Sequence, residues 1–441
     1  MLGPLHSRAG GSDGAGASRL PRLVAVGVAL LLLLASTVAA VPVATDDADA
    51  VTSSPVASAG APAVGPIEQS PNTTARLVLP DDARTTSGFY TTQLDVGGAI
   101  GVESAAMHGR YSTVELREEF AAAETDERRR AVVLRTAEGI DARIDELTTR
   151  QREAVSAYVD GELSTDGLVR ELVAIHTAAR SLETTINQLY TYDRAVGEPV
   201  STTEVSRLKA RLVPLQGPVR SQLAAAAAGN TTAQRVYITA AESGLVLSTV
   251  TEGEFSTRYI REALYAGGFD DRFADKPISI DAFQNRMEEL YPWVFTTDPP
   301  TDTVLTSAPY YLDAGVYGIA INHPQGTVSD RDLVVYYDAT SEEVFYEIQR
   351  QDVTALPTEV VANVTSDGLR VTLRATHADG PLAVNVTNAT TGEPVDATVE
   401  LNDDPLGTTD ADTLWTIAPH GTFVVTAETA RGNVSATATN V

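Results

Sequence analysis

The 441-residue chain contains no cysteine. Disulfides, thiolate metal centres and lipid attachment to cysteine are thereby excluded, and packing, hydrogen bonds and ion pairs must hold the fold. Lysine is nearly absent too: of 32 cationic residues only Lys209 and Lys276 are lysines. Against 59 acidic residues this leaves a formal net charge of −27. A surface of that sign repels nucleic acid and anionic membrane faces, so neither is expected as a partner. With abundant Ala, Val, Thr and Asp, the scarcity of lysine reads as adaptation to concentrated salt, which screens the self-repulsion of so many carboxylates. Long apolar runs are also missing. The longest, 23–35, falls short of the roughly 20 residues that span a bilayer.

That run follows Arg8, Arg19 and Arg22 and precedes the small residues Ser36 to Ala40. The layout is that of a secretory signal peptide over 1–40. Its removal takes three arginines and Asp13, leaving 32 − 3 = 29 basic and 59 − 1 = 58 acidic residues, or −29. The mature chain then has no expected membrane span, and an N-terminal anchor arises only if the signal stays uncleaved. Residues 41–71 lack periodicity and read as a disordered spacer. Six Asn-x-Ser/Thr sequons support an extracellular or cell-surface address, and the expected glycosylation sites are Asn72, Asn230, Asn363, Asn385, Asn388 and Asn433.

Between Asp126 and Val196 apolar residues recur at alternating steps of four and three. Val133, Ala137, Ile140, Ile144, Leu147, Gln151, Ala154 and Tyr158 form one stripe. Leu168, Leu172, Ile175, Ala179, Leu182, Ile186 and Leu189 form a second. This spacing predicts two helices folded back through Asp160-Gly161 as an antiparallel coiled-coil hairpin, within a helical domain over 72–230. Gln151, the polar member, either fixes register or marks where the seam opens. A third helix is expected over 201–216. The run Arg128-Arg129-Arg130 sits among acids and reads as a solvated face.

From Arg235 the period changes, and 231–355 reads as an α+β domain. Strands are expected over 236–239, 244–250, 315–321, 332–337 and 343–348, and helices over 255–265 and 279–291. Beyond 356 come seven short alternating segments, which predict a C-terminal β-sandwich over 356–441. The expected fold class is thus multidomain α+β: an N-terminal antiparallel coiled-coil helical hairpin or bundle, a central α+β domain and a C-terminal β-sandwich.

Motifs that carry chemistry are missing. There is no Gly-x-Ser-x-Gly elbow, His-Glu-x-x-His pair or phosphate-binding glycine loop. His108, His176, His323, His377 and His420 are scattered, with His176 read as flanking polar surface. Paired acids such as Asp403-Asp404 and Asp410/Asp412 lack the calcium-loop spacing with its late Glu. No catalytic, cofactor-binding or metal-ligating residue is therefore expected.

Two resemblances add to this reading. Residues 388–401, Gly407-Thr-Thr and 419–426 resemble the carboxypeptidase-regulatory or Ig-like modules of surface proteins, which implies a non-catalytic spacer or adhesive end. Leu94-Asp95-Val96-Gly97, Glu242-Ser243-Gly244, Glu289-Leu-Tyr-Pro-Trp293 and His323-Pro-Gln-Gly326 resemble an uncharacterised family of secreted haloarchaeal proteins, domains of unknown function. The expectation is a non-catalytic, N-glycosylated structural or binding protein, secreted or on the cell surface of a halophilic archaeon. Its partner would be an envelope protein or glycan. The alternative is a secreted hydrolase, or a modulator of an extracellular enzyme, suggested by the aromatic and acidic stretch 269–295.

Overall fold

Glycine, proline and capping hydroxyls punctuate the first half of the chain, and they place its helix ends. The computed structural model describes residues 67–440 except 71–72, 81–84, 93–95, 232–233, 254–255, 268–277, 296–303, 307–313, 326–327, 378 and 411. The expected signal (1–40), most of the spacer (41–71) and Asn72 lie outside the described residues. The last part of that spacer belongs to the fold: β1 (Ile67–Glu68) pairs antiparallel with β2 (Arg76–Leu77), and Glu68 forms a 2.6 Å ion pair with the buried Arg76. Then come β3 (Thr85–Thr91) and five helices: α1 (Val96–Ala122), α2 (Asp126–Val159), α3 (Thr165–Ala195), α4 (Thr202–Leu212) and α5 (Pro218–Ala227). Thr125, Ser164 and Ser201 cap α2, α3 and α4, each accepting an N–H three residues on. Gly161, at φ +74°, turns the chain from α2 into α3.

This arrangement corrects the expected fold class, because no N-terminal coiled-coil hairpin is formed. The helices lie between 96 and 227, and α3 packs along α1 at least as extensively as along α2. The two stripes are buried, apart from a half-exposed Leu182, but their partners are not confined to each other. Above Gln151, Ile140, Ile144 and Leu147 meet Ile175, Ile186 and Leu189 together with Leu116 of α1 and Leu208 and Leu212 of α4. Below it, Val155, Tyr158, Leu168 and Leu172 leave the helical core and pack on strands. A four-three repeat records only that one face is covered. A multi-helix layer on a sheet satisfies it as well as a two-helix seam does.

The sheet that receives these helices is almost the whole second half of the body. After β4 (Arg235–Ala241), β5 (Gly244–Glu252) and β6 (Thr257–Tyr265) come α6 (Ile280–Leu290), α7 (Pro292–Phe295), β7 (Val304–Thr306), β8 (Val316–Gln325), β9 (Val328–Asp338) and β10 (Glu343–Asp352). The eight strands lie in the order β3-β4-β5-β6-β10-β9-β8-β7, every pair antiparallel. The segment 255–265, expected as a helix, is largely the central strand β6. The edge strand β3 comes from the expected helical domain, so helices and sheet share one body. Val236, Ile238, Leu245, Leu247 and Ile260 face α2, α3 and α5. The opposite face carries Val246, Ala263, Val335 and Tyr337 under Phe283, Met287 and Leu290 of α6 and Leu77 of β2.

Residues from 359 form two four-stranded sheets. One holds β11 (Glu359–Ser366), β12 (Leu369–Ala375), β13 (Pro381–Asn388) and β16 (Leu414–Ile417). The other holds β14 (Thr398–Leu401), β15 (Asp404–Thr408), β17 (Gly421–Thr429) and β18 (Gly432–Asn440). Their inward residues, among them Val371, Leu373, Val384, Val399, Phe423, Val425 and Ala436, make a separate core. Strand β15 carries Asp404, one of the paired acids of the sandwich. Trp415 and Ile417 also pack with Tyr237, Tyr259, Phe89 and Val353, so the sandwich is seated on the sheet.

Candidate functional site

Successive side chains of a strand point to opposite faces, and on β6 the consecutive pair Arg261 and Glu262 does so with both ends charged and buried. Toward the helices, Glu262 Oε1 lies 2.8 Å from Arg220 Nε of α5, and both side chains are 1% exposed. Arg220 also donates to Gln151 Oε1 at 2.8 Å and to the Pro214 carbonyl at 3.0 Å. The second oxygen of Glu262 accepts the Val219 N–H at the start of α5. A Cβ at Gly217 would overlap this carboxylate, so glycine is needed there. Burial pushes Glu262 above the ordinary carboxylate range, against the pull of Arg220 and the backbone N–H groups.

On the other face Arg261 donates to Glu347 Oε1 at 3.0 Å and to the Leu77 carbonyl. Glu347 Oε2 accepts from Tyr291 Oη at 2.6 Å and from the Leu77 N–H at 2.8 Å. Gln349 donates to Glu347 and to the Ala75 carbonyl, both at 2.9 Å. These groups clamp β2 onto the sheet. Burial raises both Glu347 and Tyr291. Each buried carboxylate lies within 2.8–3.0 Å of a guanidinium, and all four charged side chains are at most 4% exposed. Their role is structural.

Two concavities on the helix side, among the described residues, are large enough to matter here. The smaller, about 320 Å³, is lined by His176, Arg180, Lys209, Ser221, Tyr336 and Tyr346. His176, expected at the surface, is buried instead, and its Nδ1 accepts a long 3.4 Å hydrogen bond from the Gly217 N–H. Burial, then the guanidinium groups of Arg220 and Arg180, bring its pKa from 6.5 down to about 3. A nitrogen that weakly basic is a poor general base near neutral pH. Tyr336 is pushed up to about 12 by burial and by Glu183, so its hydroxyl stays protonated.

The larger concavity, about 810 Å³, is a groove over α3 walled by α1 and α2. Ala174, Ala178, Ser181 and Thr185 supply a small-residue floor, while Ser104, His108 and Glu115 of α1 face Arg135, Gly139 and Arg143 of α2. Arg135 pairs with Glu119 and Arg143 with Glu146, so the groove's arginines are largely compensated. On the outside of the same α1 stand Ile100, Met107, Tyr111 and Val114, with 66, 64, 67 and 36% of their surfaces exposed. Large apolar side chains grouped in this way mark an interaction surface more often than a bare one.

The residues expected to carry modification or chemistry are dispersed. Asn230, Asn363 and Asn433 are exposed. Asn385 is half-buried and donates to Thr413 Oγ1 at 2.6 Å, and Asn388 accepts the N–H groups of Thr390 and Thr391. Asp404 pairs with Arg235 and Asp410 accepts from Thr408. Among the described residues no group of three or more His, Asp or Glu could hold a metal ion. Arg128 and Arg129 pair with Glu124 and Asp126, and Arg130 donates to the Val196 carbonyl at 2.7 Å. Of the stretch behind the hydrolase alternative, residues 269–277 lie outside the described residues. Sequence reasoning missed the exposed stripe of α1, although its spacing of seven, four and three was there to be read.

Three family models match parts of the chain. Residues 20–232 match a domain of unknown function (DUF7096), residues 236–357 a family of unknown function (DUF7094), and residues 360–436 an archaeal fibronectin-III type-like domain. The last agrees with an Ig-like sandwich, and the carboxypeptidase-regulatory resemblance has no counterpart among these matches. No curated protein and no solved structure matches the chain. Among the described residues no helix is long and apolar enough to cross a membrane.

Proposed function

We propose that this is a non-catalytic structural or binding protein of the archaeal cell exterior, N-glycosylated and adapted to high salt. The helical layer binds an envelope protein or glycan, and the fibronectin-type sandwich supports it. One observation carries the binding reading: the groove of about 810 Å³ and the outward apolar stripe both involve α1, on a helical layer seated on the sheet. The apparent signal peptide, the six sequons and the net charge of −27 support the address. The weak basicity of His176 and the full engagement of Glu262 and Glu347 support a role without catalysis.

Proximity labelling at the cell surface with the tagged full chain tests this, run beside a variant carrying Met107→Glu and Tyr111→Glu. Enrichment of envelope components by the wild type, reduced several-fold by the variant, is the expected result. Equal labelling by both would remove α1 from the interface. Hydrolysis of peptides, glycans or esters by the purified chain in molar salt would overturn the non-catalytic reading.

A further inference from the structure

The rotation of α1 about its own axis is locked by its inner face. A Cβ on Gly109 would overlap the side chain of Ser181, Thr113 Oγ1 lies 3.0 Å from Thr185 Oγ1, and Phe120 stacks on Tyr192 with ring centroids 4.2 Å apart. At about 100° per residue, Ile100, Met107, Tyr111 and Val114 then fall on the side opposite Gly109. Their steps of seven, four and three make a straight outward stripe, with Ser104 filling the remaining position between Ile100 and Met107. A helix apolar on two sides is normally covered on both. Among the described residues only one is covered.

We propose that the outward face of α1 pairs with α1 of a second copy of this chain, parallel and in register, forming a twofold dimer. This rests on the reading of α1 as a contact surface, and it gives the outward stripe to a second copy while the groove over α3 is left to the envelope partner. The stripe follows the seven-residue spacing that lets one helix interlock with another like itself. In register, Ile100, Met107, Tyr111 and Val114 each meet their own equivalents across the twofold axis. The charges beside the stripe choose the orientation. Arg110 and Glu115 flank it on opposite sides, Glu115 toward the groove, and neither has an ion pair among the described residues. In a parallel pair the flanking residues five positions apart face each other, so each Arg110 meets Glu115 of the other copy. An antiparallel pair that layers Met107 on Tyr111 would set Arg110 against its own equivalent and Ile100 against Glu118. The stripe ends at Glu118, where like charges would meet, so the contact runs from Ile100 to Val114. Concentrated salt screens the repulsion between two chains of this charge and strengthens apolar contact, so the pairing suits a saline exterior.

Light scattering coupled to size-exclusion chromatography tests the proposal on the glycan-free full chain at tens of micromolar, in molar and in about 0.1 M salt. The expected mass is twice 46.6 kDa, with more dimer at high salt. Met107→Glu with Tyr111→Glu should give the monomer with unchanged circular dichroism. Arg110→Glu should weaken the dimer several-fold at the lower salt, and adding Glu115→Arg should restore it. A monomeric wild type at both salts overturns the dimer. So does a dimer that survives the double glutamate variant, or one indifferent to the charge reversal and its swap. If the wild type is monomeric yet still enriches envelope components through α1, the dimer falls and the binding reading stands.

Discussion

Gly109 of α1 and Ser181 of α3 stand so close that a Cβ on the glycine would overlap the serine side chain. Two opposing effects make this contact measurable. Glycine inside a helix is about 1 kcal/mol worse than alanine, so Gly109→Ala at an open position would stabilise. Overpacking a filled contact costs about 1–3 kcal/mol. We expect net destabilisation of about 1–2 kcal/mol in chemical denaturation, partly relieved by Ser181→Gly in the same chain. A stabilised Gly109→Ala variant would show that α1 and α3 do not approach this closely.

The Arg220–Glu262 pair gives a second prediction. Glu262→Gln leaves the Arg220 guanidinium without its counter-charge at a site 1% exposed. The loss expected from breaking a buried pair at one end is about 3–5 kcal/mol. Replacing both members together with Met and Leu should cost less than the single change, because no unpaired charge remains. Denaturant midpoints of the two variants decide it. A double variant worse than Glu262→Gln would mean that the carboxylate's hold on the Val219 N–H outweighs its pairing with Arg220.

His176 sets a pH dependence with a definite sign. Its pKa falls from 6.5 to about 3 on folding. Above 6.5 neither state binds the proton and the residue contributes nothing to the slope. Between 6.5 and 3 the unfolded chain binds it and the folded chain does not, so stability is lost as pH falls, by up to about 1.4 kcal/mol per unit. Comparing wild type with His176→Gln at about pH 7 and about pH 4.5 isolates this from the carboxylates common to both. The wild type should lose about 2–3 kcal/mol more than the variant. Parallel losses would place the imidazole in solvent.

How much of this was legible follows from which faces are covered. On strand β12 of the sandwich one face meets the core and the other is more open, so the alternation of Leu369, Val371 and Leu373 is plain in the sequence. Strand β6 is covered on both faces, and its middle is the charged pair Arg261-Glu262. What remains visible is Tyr259, Ile260, Ala263 and Leu264, a helical spacing, and the segment was read as a helix. The charges make sense only with Glu347 and Arg220, 86 positions later and 42 earlier. Gln151 was the better clue. Its polarity marked the level where α2 passes from the helical core to the sheet, but nothing local named Arg220 as its partner. The coiled-coil expectation failed because a stripe states that a face is covered and not by what. His176 was misplaced for a related reason: its cover comes from Gly217 and the sheet, far along the chain.

The seat of the sandwich on the sheet gives the last prediction. Arg235 at the start of β4 lies over the Phe89 ring, 4.0 Å from its centroid, donates to the Pro405 carbonyl at 3.1 Å and pairs with Asp404 at 3.6 Å. Two residues along the same strand and on the same face, Tyr237 accepts the His420 N–H at 3.0 Å. Between these contacts Tyr259, Val353, Ile417 and Trp415 form one apolar cluster drawn from both bodies. Residues shared in this way couple two cores, so calorimetry of the wild type in molar salt should show a single transition. Tyr237→Phe removes the oxygen that accepts the His420 N–H, at about 0.5–1.5 kcal/mol, and Arg235→Ala removes the stacked guanidinium. With both changes the coupling falls below the stability of either core, and the transition should divide in two. The sandwich, with its own closed core, would melt independently. A wild type that already melts in two steps would mean that the shared cluster contributes too little to join them.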